Sequence, residues 1–427
     1  MYSEKFELPY KEITNKIDDF RAKRITFYLN LINDLAKQKF ETLKNAAAEK
    51  SEAIKAYINM LPDSSTIKAE FNKLTAYDYN FSEIRSWAIK NLTMGSIDVN
   101  IMTKVDKDNY IQDEKFPVID IHNHLGDLQK NAKYLQEMDK AGVWMCVSLD
   151  GLSKDFFYKE HLKESAKISK DRILVFFAPE WSRIDEPDFG KNEAKRLEEA
   201  VNLGAKGLKV FKSLGLTIKD KTGKIIPVDD PRLDPIWAKC GELGIPVVIH
   251  SSDPKAFFEP IDEFNERYDE LGMFPHWSFY GDEFPSKEEI LDQRNRMMKK
   301  HSETIFIGAH MGNLPEDLER VAMWLEQYPN FYVDIDARIS ELGRQPYSAR
   351  DFMIKYQDRI LFGTDTEPNH RSYSIYYRFL ETKDQYIDQS EMFGQGRWMM
   401  YGLYLPDDVL EKIYNKNALK ILALRKK

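Results

Sequence analysis

Phe116-Pro117-Val118-Ile119-Asp120-Ile121-His122-Asn123-His124 is an apolar run that stops on two histidines set two residues apart. Three more runs end in the same manner: Ile245-Pro246-Val247-Val248-Ile249-His250, Ile305-Phe306-Ile307-Gly308-Ala309-His310 and Ile360-Leu361-Phe362-Gly363-Thr364-Asp365. Short apolar runs bounded by polar residues read as buried strands. Strands that each deliver a ligand at the same end can build a metal site from distant parts of a chain. The chain has eight histidines, and four fall at these ends.

Outward from these runs, the region after residue 116 alternates apolar stretches with helical patterns. Strands are expected at 118–121, 143–149, 173–177, 207–211, 246–249, 305–309, 331–335 and 360–362, with helices among them at 193–203, 233–243 and 314–328, and a last helix at 407–424. Eight strands alternating with helices is the rhythm of an α/β protein of the (β/α)8 TIM-barrel type. A doubly wound sheet is the competing arrangement, but no Gly-rich phosphate-binding turn follows the first strand. Residues 1–110 are rich in Lys, Glu, Ala and Asn, with Ile17, Phe20, Ile25, Leu29, Ile32 and Leu35 near a helical stripe. They are expected to form a helical extension, with the barrel occupying 116–424. Two long connections, 251–285 and 366–406, follow strand ends and are rich in aromatic residues, which suggests an ordered wall or lid over a pocket.

Composition narrows the class. At 427 residues, 42% hydrophobic and 13% aromatic, the chain can bury a large core. A net charge of -8 without a basic patch argues against nucleic acid, and no apolar stretch is long enough for a membrane span. The start of the chain has no basic-then-apolar secretory signal, so a cytoplasmic protein is expected, a signal already removed being the other reading. Cys146 and Cys240 read as buried thiols. A homodimer with a small-molecule substrate is the expected assembly.

Alternation along a strand would turn Asp120, His122, His124, Lys209, His250, Gly308, His310, Gly363 and Asp365 towards the barrel axis, and Ile119, Ile121, Ile305, Ile307 and Ala309 towards the helices. His-x-His at a strand end holds two imidazoles roughly 6–7 Å apart at Cα. With His250 and Asp365 they could hold one divalent ion, Zn²⁺ fitting best and Mn²⁺, Fe²⁺ or Co²⁺ being alternatives. Such an ion lowers the pKa of its water, Asp365 could move the proton, and His310 could polarise a carbonyl. Lys212 and Arg338 are candidate contacts for an anionic substrate.

Residues 116–424 resemble the amidohydrolase superfamily, in its amidohydrolase-related branch. The resemblance rests on Asp120-Ile-His-Asn-His124, Lys206-Gly-Leu-Lys-Val-Phe211, Val248-Ile-His250 with Gly308-Ala-His310, and Leu361-Phe-Gly-Thr-Asp365. It implies a metal-dependent barrel whose ion is held by His122, His124, His250 and Asp365, with His310 catalytic. It also implies that Lys209 either touches a substrate carboxylate or, as in some members, bridges a second ion. The first expectation is a hydrolase in which activated water attacks an amide, lactone or ester carbonyl of a small, anionic substrate. The alternative is a non-oxidative decarboxylase or hydratase of an aromatic or dicarboxylic acid. A binding barrel without catalysis is the third reading.

Overall fold

The computed structural model describes residues 114–126, 130–150, 155–169, 172–388 and 395–422. The helical extension expected over 1–110 lies outside them. Eight parallel strands pair in chain order: β1 (Val118–Asn123), β2 (Val143–Ser148), β3 (Ile173–Phe177), β4 (Gly207–Val210), β5 (Val247–Ile249), β6 (Phe306–Gly308), β7 (Phe331–Asp334) and β8 (Ile360–Leu361). The circle closes where Ile121 N–H donates to Phe362 O (3.0 Å) and Asp365 N–H donates to His122 O (2.8 Å). The (β/α)8 barrel is therefore present. Its strands are short and buried on both faces, which is why they read as nearly continuous apolar runs rather than alternating ones.

Around the barrel run α1 (Asn131–Lys140), α2 (Asp155–Ser169), α3 (Phe189–Asn202), α4 (Asp234–Leu243), α5 (Lys287–Lys300), α6 (Leu318–Gln327), α7 (Pro346–Lys355), α8 (His370–Glu381), α9 (Asp407–Glu411) and α10 (Asn417–Ile421). Local chemistry sets their ends. Asp317 caps α6 by accepting from Arg320 N–H, so that helix begins later than its apolar pattern does. Ser286 caps α5 from Glu289 N–H, and Gly244 ends α4 in a left-handed turn. No helix among the described residues is long and apolar enough to cross a membrane.

The first part of the second long connection is core rather than a wall over the pocket. Tyr373, Tyr376, Tyr377 and Phe379 belong to α8, where the three tyrosines pack on the outer-facing Phe362, with ring centroids 5.5–6.3 Å apart. Helical spacing puts them on one stripe, and that stripe is core.

Cross-strand partners share a face, so the register separates the layers. Val147 pairs with Leu174, Phe176 with Gly207, Lys209 with Val248, Val248 with Ile307, Ile307 with Tyr332 and Asp334 with Leu361, all facing the axis. Their alternates face the helices, as when Phe306 meets Trp237 of α4 at 6.4 Å. The expected facing holds for β4, β5 and β8 but fails for β1 and β6. Ile119 and Ile121 cluster with Val248 and Leu361 inside the barrel, while Asp120 pairs with outward Cys146. A register shift between Asp120 and Asn123 then turns His122 inward after all. A bulge of this kind re-aims the side chains that follow it. In β6, Ile307 faces in and Gly308 faces out, and His310 reaches the axis because His310 (φ 57°) and Met311 (φ 56°) are left-handed.

The place of Gly308 can be tested. A Cβ there would lie 2.6 Å from Phe331 Cζ and 2.9 Å from Gly312 Cα. Gly308→Ala is expected to lose about 1–3 kcal/mol in denaturant unfolding. No loss would put this glycine on the open inner face.

Candidate metal centre

His122 leaves the β1 bulge fully buried. Its Nδ1 lies 3.0 Å from Asp334 Oδ2 and 2.9 Å from Asp336 Oδ2, and its Nε2 lies 3.4 Å from Asp365 Oδ1. His124 stands at the mouth with Nδ1 2.5 Å from Asp150 Oδ1 and Nε2 3.0 Å from Asp365 Oδ1. Each imidazole thus rests Nδ1 on a carboxylate and turns Nε2 towards the same carboxylate oxygen. Asp365 is itself held in a left-handed turn (φ 63°) just past β8. Backbone of this kind in a non-glycine residue is strained and collects at functional sites.

The donor set fits a divalent transition ion. The ligand atoms of His122, His124 and Asp365 lie within 4.8 Å of one another. Carboxylates on both Nδ1 atoms fix the tautomer that leaves Nε2 free to bind. Burial brings His122 down to about 4, so it is neutral, the form that binds metal. Burial also works against a charged His124, yet Asp150 and Asp365 outweigh it and bring that group to about 9. Burial would raise Asp365, but His124, His122 and His310 hold its carboxyl far below the usual range. The point between His124 and Asp365 therefore favours positive charge, and two nitrogens with one oxygen suit Zn²⁺, Mn²⁺, Fe²⁺ or Co²⁺.

A second trio, His122, His310 and Asp336, lies deeper. His310 N–H donates to Asp334 Oδ1 (2.8 Å) and Asp336 Oδ1 (2.7 Å), and its Nδ1 lies 2.9 Å from Asp336 Oδ2. Burial and neighbouring Asp336 raise Asp334, whereas His122 and His310 overcome burial to hold Asp336 low. His250 stands in neither trio. Its Nδ1 lies 3.2 Å from His310 Nε2, and its Nε2 lies 3.3 Å from Asp253 Oδ1.

No curated protein matches the chain. The family model described as Amidohydrolase matches residues 165–424, more than half of the sequence. The chain belongs to the amidohydrolase family. This amidohydrolase is similar in architecture to 2,6-dihydroxybenzoate decarboxylase from Rhizobium (19% identity, 72% of this chain and 99% of that chain, TM-score 0.47). It is also similar to dihydroxybenzoic acid decarboxylase from Polaromonas sp. JS666 with bound manganese and 2-nitroresorcinol (17%, 73% and 98%, TM-score 0.47). A third similar structure is 5-carboxyvanillate decarboxylase from Sphingomonas paucimobilis (15%, 68% and 82%, TM-score 0.43).

Three cations of this amidohydrolase surround the imidazoles, Lys209 at His122 and Lys212 and Arg338 at Asp253, which meets His250. Lys209 Nζ lies 3.1 Å from His122 Nε2, and burial pulls its ammonium below the ordinary range against Asp365, Asp336 and Asp334. Lys212 Nζ lies 2.5 Å from Asp253 Oδ2 and 5.3–5.8 Å from the ring centroids of Phe257, Trp277 and Phe279. Arg338 follows left-handed Ala337 (φ 48°), donates from Nη1 to Ala337 O (2.6 Å), and holds Nη2 3.8 Å from Asp253 Oδ1.

Asp120 joins the seam from the outer face. It accepts from Thr364 Oγ1 (2.6 Å), Asn123 Nδ2 (2.8 Å) and His122 N–H (3.0 Å), and burial raises it to about 6. The structure adds Asp334, which sequence reasoning passed over, and gives Asp150 and Asp336 definite partners. All three sit at strand ends, and Asp334 and Asp336 alternate in phase with inward Tyr332, which was a legible signal.

Proposed function

We propose that this amidohydrolase is a metal-dependent, non-oxidative decarboxylase of aromatic carboxylic acids, in preference to the carbonyl hydrolase expected first. The observation that carries the reading is the meeting of Lys209, Lys212 and Arg338 around the imidazole cluster. Lys212 and Arg338 share one carboxylate, Asp253, and a substrate carboxylate would take up the positive charge left over. Phe211, 6.2 Å from the His124 ring, and the aromatic faces around Lys212 suit a flat substrate. Decarboxylation of aromatic acids is also the activity for which the three similar structures are named.

His122, His124 and Asp365 would hold one divalent ion, with His250 as the further ligand this family implies. When bound, the ion supplies Lewis-acid charge that draws the substrate's acidic group and offsets charge developing on the ring. Lys209 and Arg338 orient the carboxylate. As the ring–carboxylate bond breaks, its electron pair stays on the ring carbon and CO₂ leaves. His310, anchored through Nδ1 on Asp336, delivers the proton to that carbon from Nε2.

The test is turnover of a panel of hydroxybenzoic and benzenedicarboxylic acids in ¹⁸O-labelled D₂O by metal-loaded protein. The expected result is CO₂ with one deuterium on the ring and no ¹⁸O in the aromatic product. Inert acids, together with ¹⁸O appearing in products from amides, lactones or esters, would return the hydrolase reading.

A further inference from the structure

Arg267 lies in the loop after β5, and only 1% of it is exposed. Its Nη1 donates to Glu270 Oε2 (2.9 Å) and Gln395 O (3.1 Å), and its Nη2 meets the Glu341 carboxylate. Its guanidinium lies 5.4 Å from the Trp398 ring. Three segments converge on this one side chain: the loop after β5, the turn after β7, and residues 395–398. Arg397 ties the last of these to Asp269 with two bonds (2.6 and 2.7 Å), and Trp398 Nε1 donates to Ser340 O (3.1 Å).

Arg338 stands beside this knot and is 5% exposed. Glu341 lies three residues further on in the same helical turn, where Leu342 N–H donates to Arg338 O (3.1 Å). Residues at that spacing share a face. Arg338 nevertheless has no carboxylate closer than Asp253 at 3.8 Å among the described residues, and its Nε has no hydrogen-bond partner there. Burial, with the charge of Arg338 alongside, brings Arg267 down to about 10 against the pull of Glu270. A buried guanidinium next to free carboxylates pairs with them, because an unpaired charge in a dry site is expensive. Arg267 has taken both.

We infer that Arg267 is a positioning residue that sequesters Glu270 and Glu341 and thereby keeps Arg338 open for the anionic group of the substrate. This rests on the reading of Arg338 as a substrate contact. Removing Arg267 leaves Glu341 one turn from an underpaired guanidinium, and the two close on each other. The receptor is then filled from within.

Calorimetric binding of benzene-1,3-dicarboxylate to the metal-loaded full chain tests this. Arg267→Gln is expected to weaken binding at least about tenfold, with metal content and circular dichroism unchanged, since a buried charge pair is being rearranged. Arg267→Lys should keep part of the affinity. Adding Glu341→Gln to Arg267→Gln should restore most of it, because the internal competitor is gone. A structural role alone cannot give that rescue. Wild-type affinity in Arg267→Gln, or a double variant as weak as the single, overturns the inference. Arg338→Gln separates the two readings: unchanged binding there removes Arg338 from the substrate site, whereas weakened binding there with Arg267→Gln unaffected removes only the sequestering role.

Discussion

His122→Ala and His124→Ala are each expected to purify without stoichiometric metal and without turnover. Removing a carboxylate that merely orients a ligating histidine weakens metal binding about 10–100-fold, so losing the imidazole itself must exceed that. The geometry supplies its own scale, because Asp150 touches only His124 Nδ1 and leaves Nε2 free. Asp150→Asn should therefore fall between wild type and His124→Ala when elemental analysis is paired with a competitive chelator titration. Full metal content in both alanine variants would remove the ion from this site. Equal loss in Asp150→Asn and His124→Ala would mean that orientation, rather than the nitrogen donor, limits binding.

His310→Ala should behave in the opposite sense, keeping its metal while turnover falls by about 10²–10⁴, the range for loss of a positioned proton donor. His310 is fastened through its backbone N–H to Asp334 and Asp336 and through Nδ1 to Asp336, and neither carboxylate belongs to the trio of His122, His124 and Asp365. Steady-state rates and metal content measured on the same preparation check this. Metal lost in step with activity would place His310 among the ligands, in the trio it makes with His122 and Asp336.

The barrel was legible because each short run carried its own stop signal, and the observed strands fall on the runs with ends shifted by a residue or two. The facing of β1 and β6 was not legible. Strict alternation assumes an unbroken ladder, yet the extra residue before Asn123 and the left-handed pair at His310 and Met311 both break it. The extra residue in β1 carries no glycine to flag it, and Gly312 (φ 64°) marks the second break only after His310 and Met311 have already turned. The aromatic stretch from Tyr373 to Phe379 misled for a different reason. Its polar partners made it look like a loop, while its three-to-four spacing marked a helix packing on Phe362. At the site, the strand-end histidines were plain, but Asp334 was hidden within an apolar run and was visible only through phase.

His122 lies in the first strand of the barrel, His124 just past its end, and Asp365 follows the last strand, across the line where Asp365 N–H meets His122 O. An ion shared by these three would act as a clasp that joins the two ends of the circuit. Anything bound only by the folded form adds stability by mass action, about 2.7 kcal/mol at a hundredfold excess over Kd. Loading the protein would therefore also lock its ring. The stripped ring would part first between β8 and β1, so limited proteolysis near that line reports occupancy without any substrate being known.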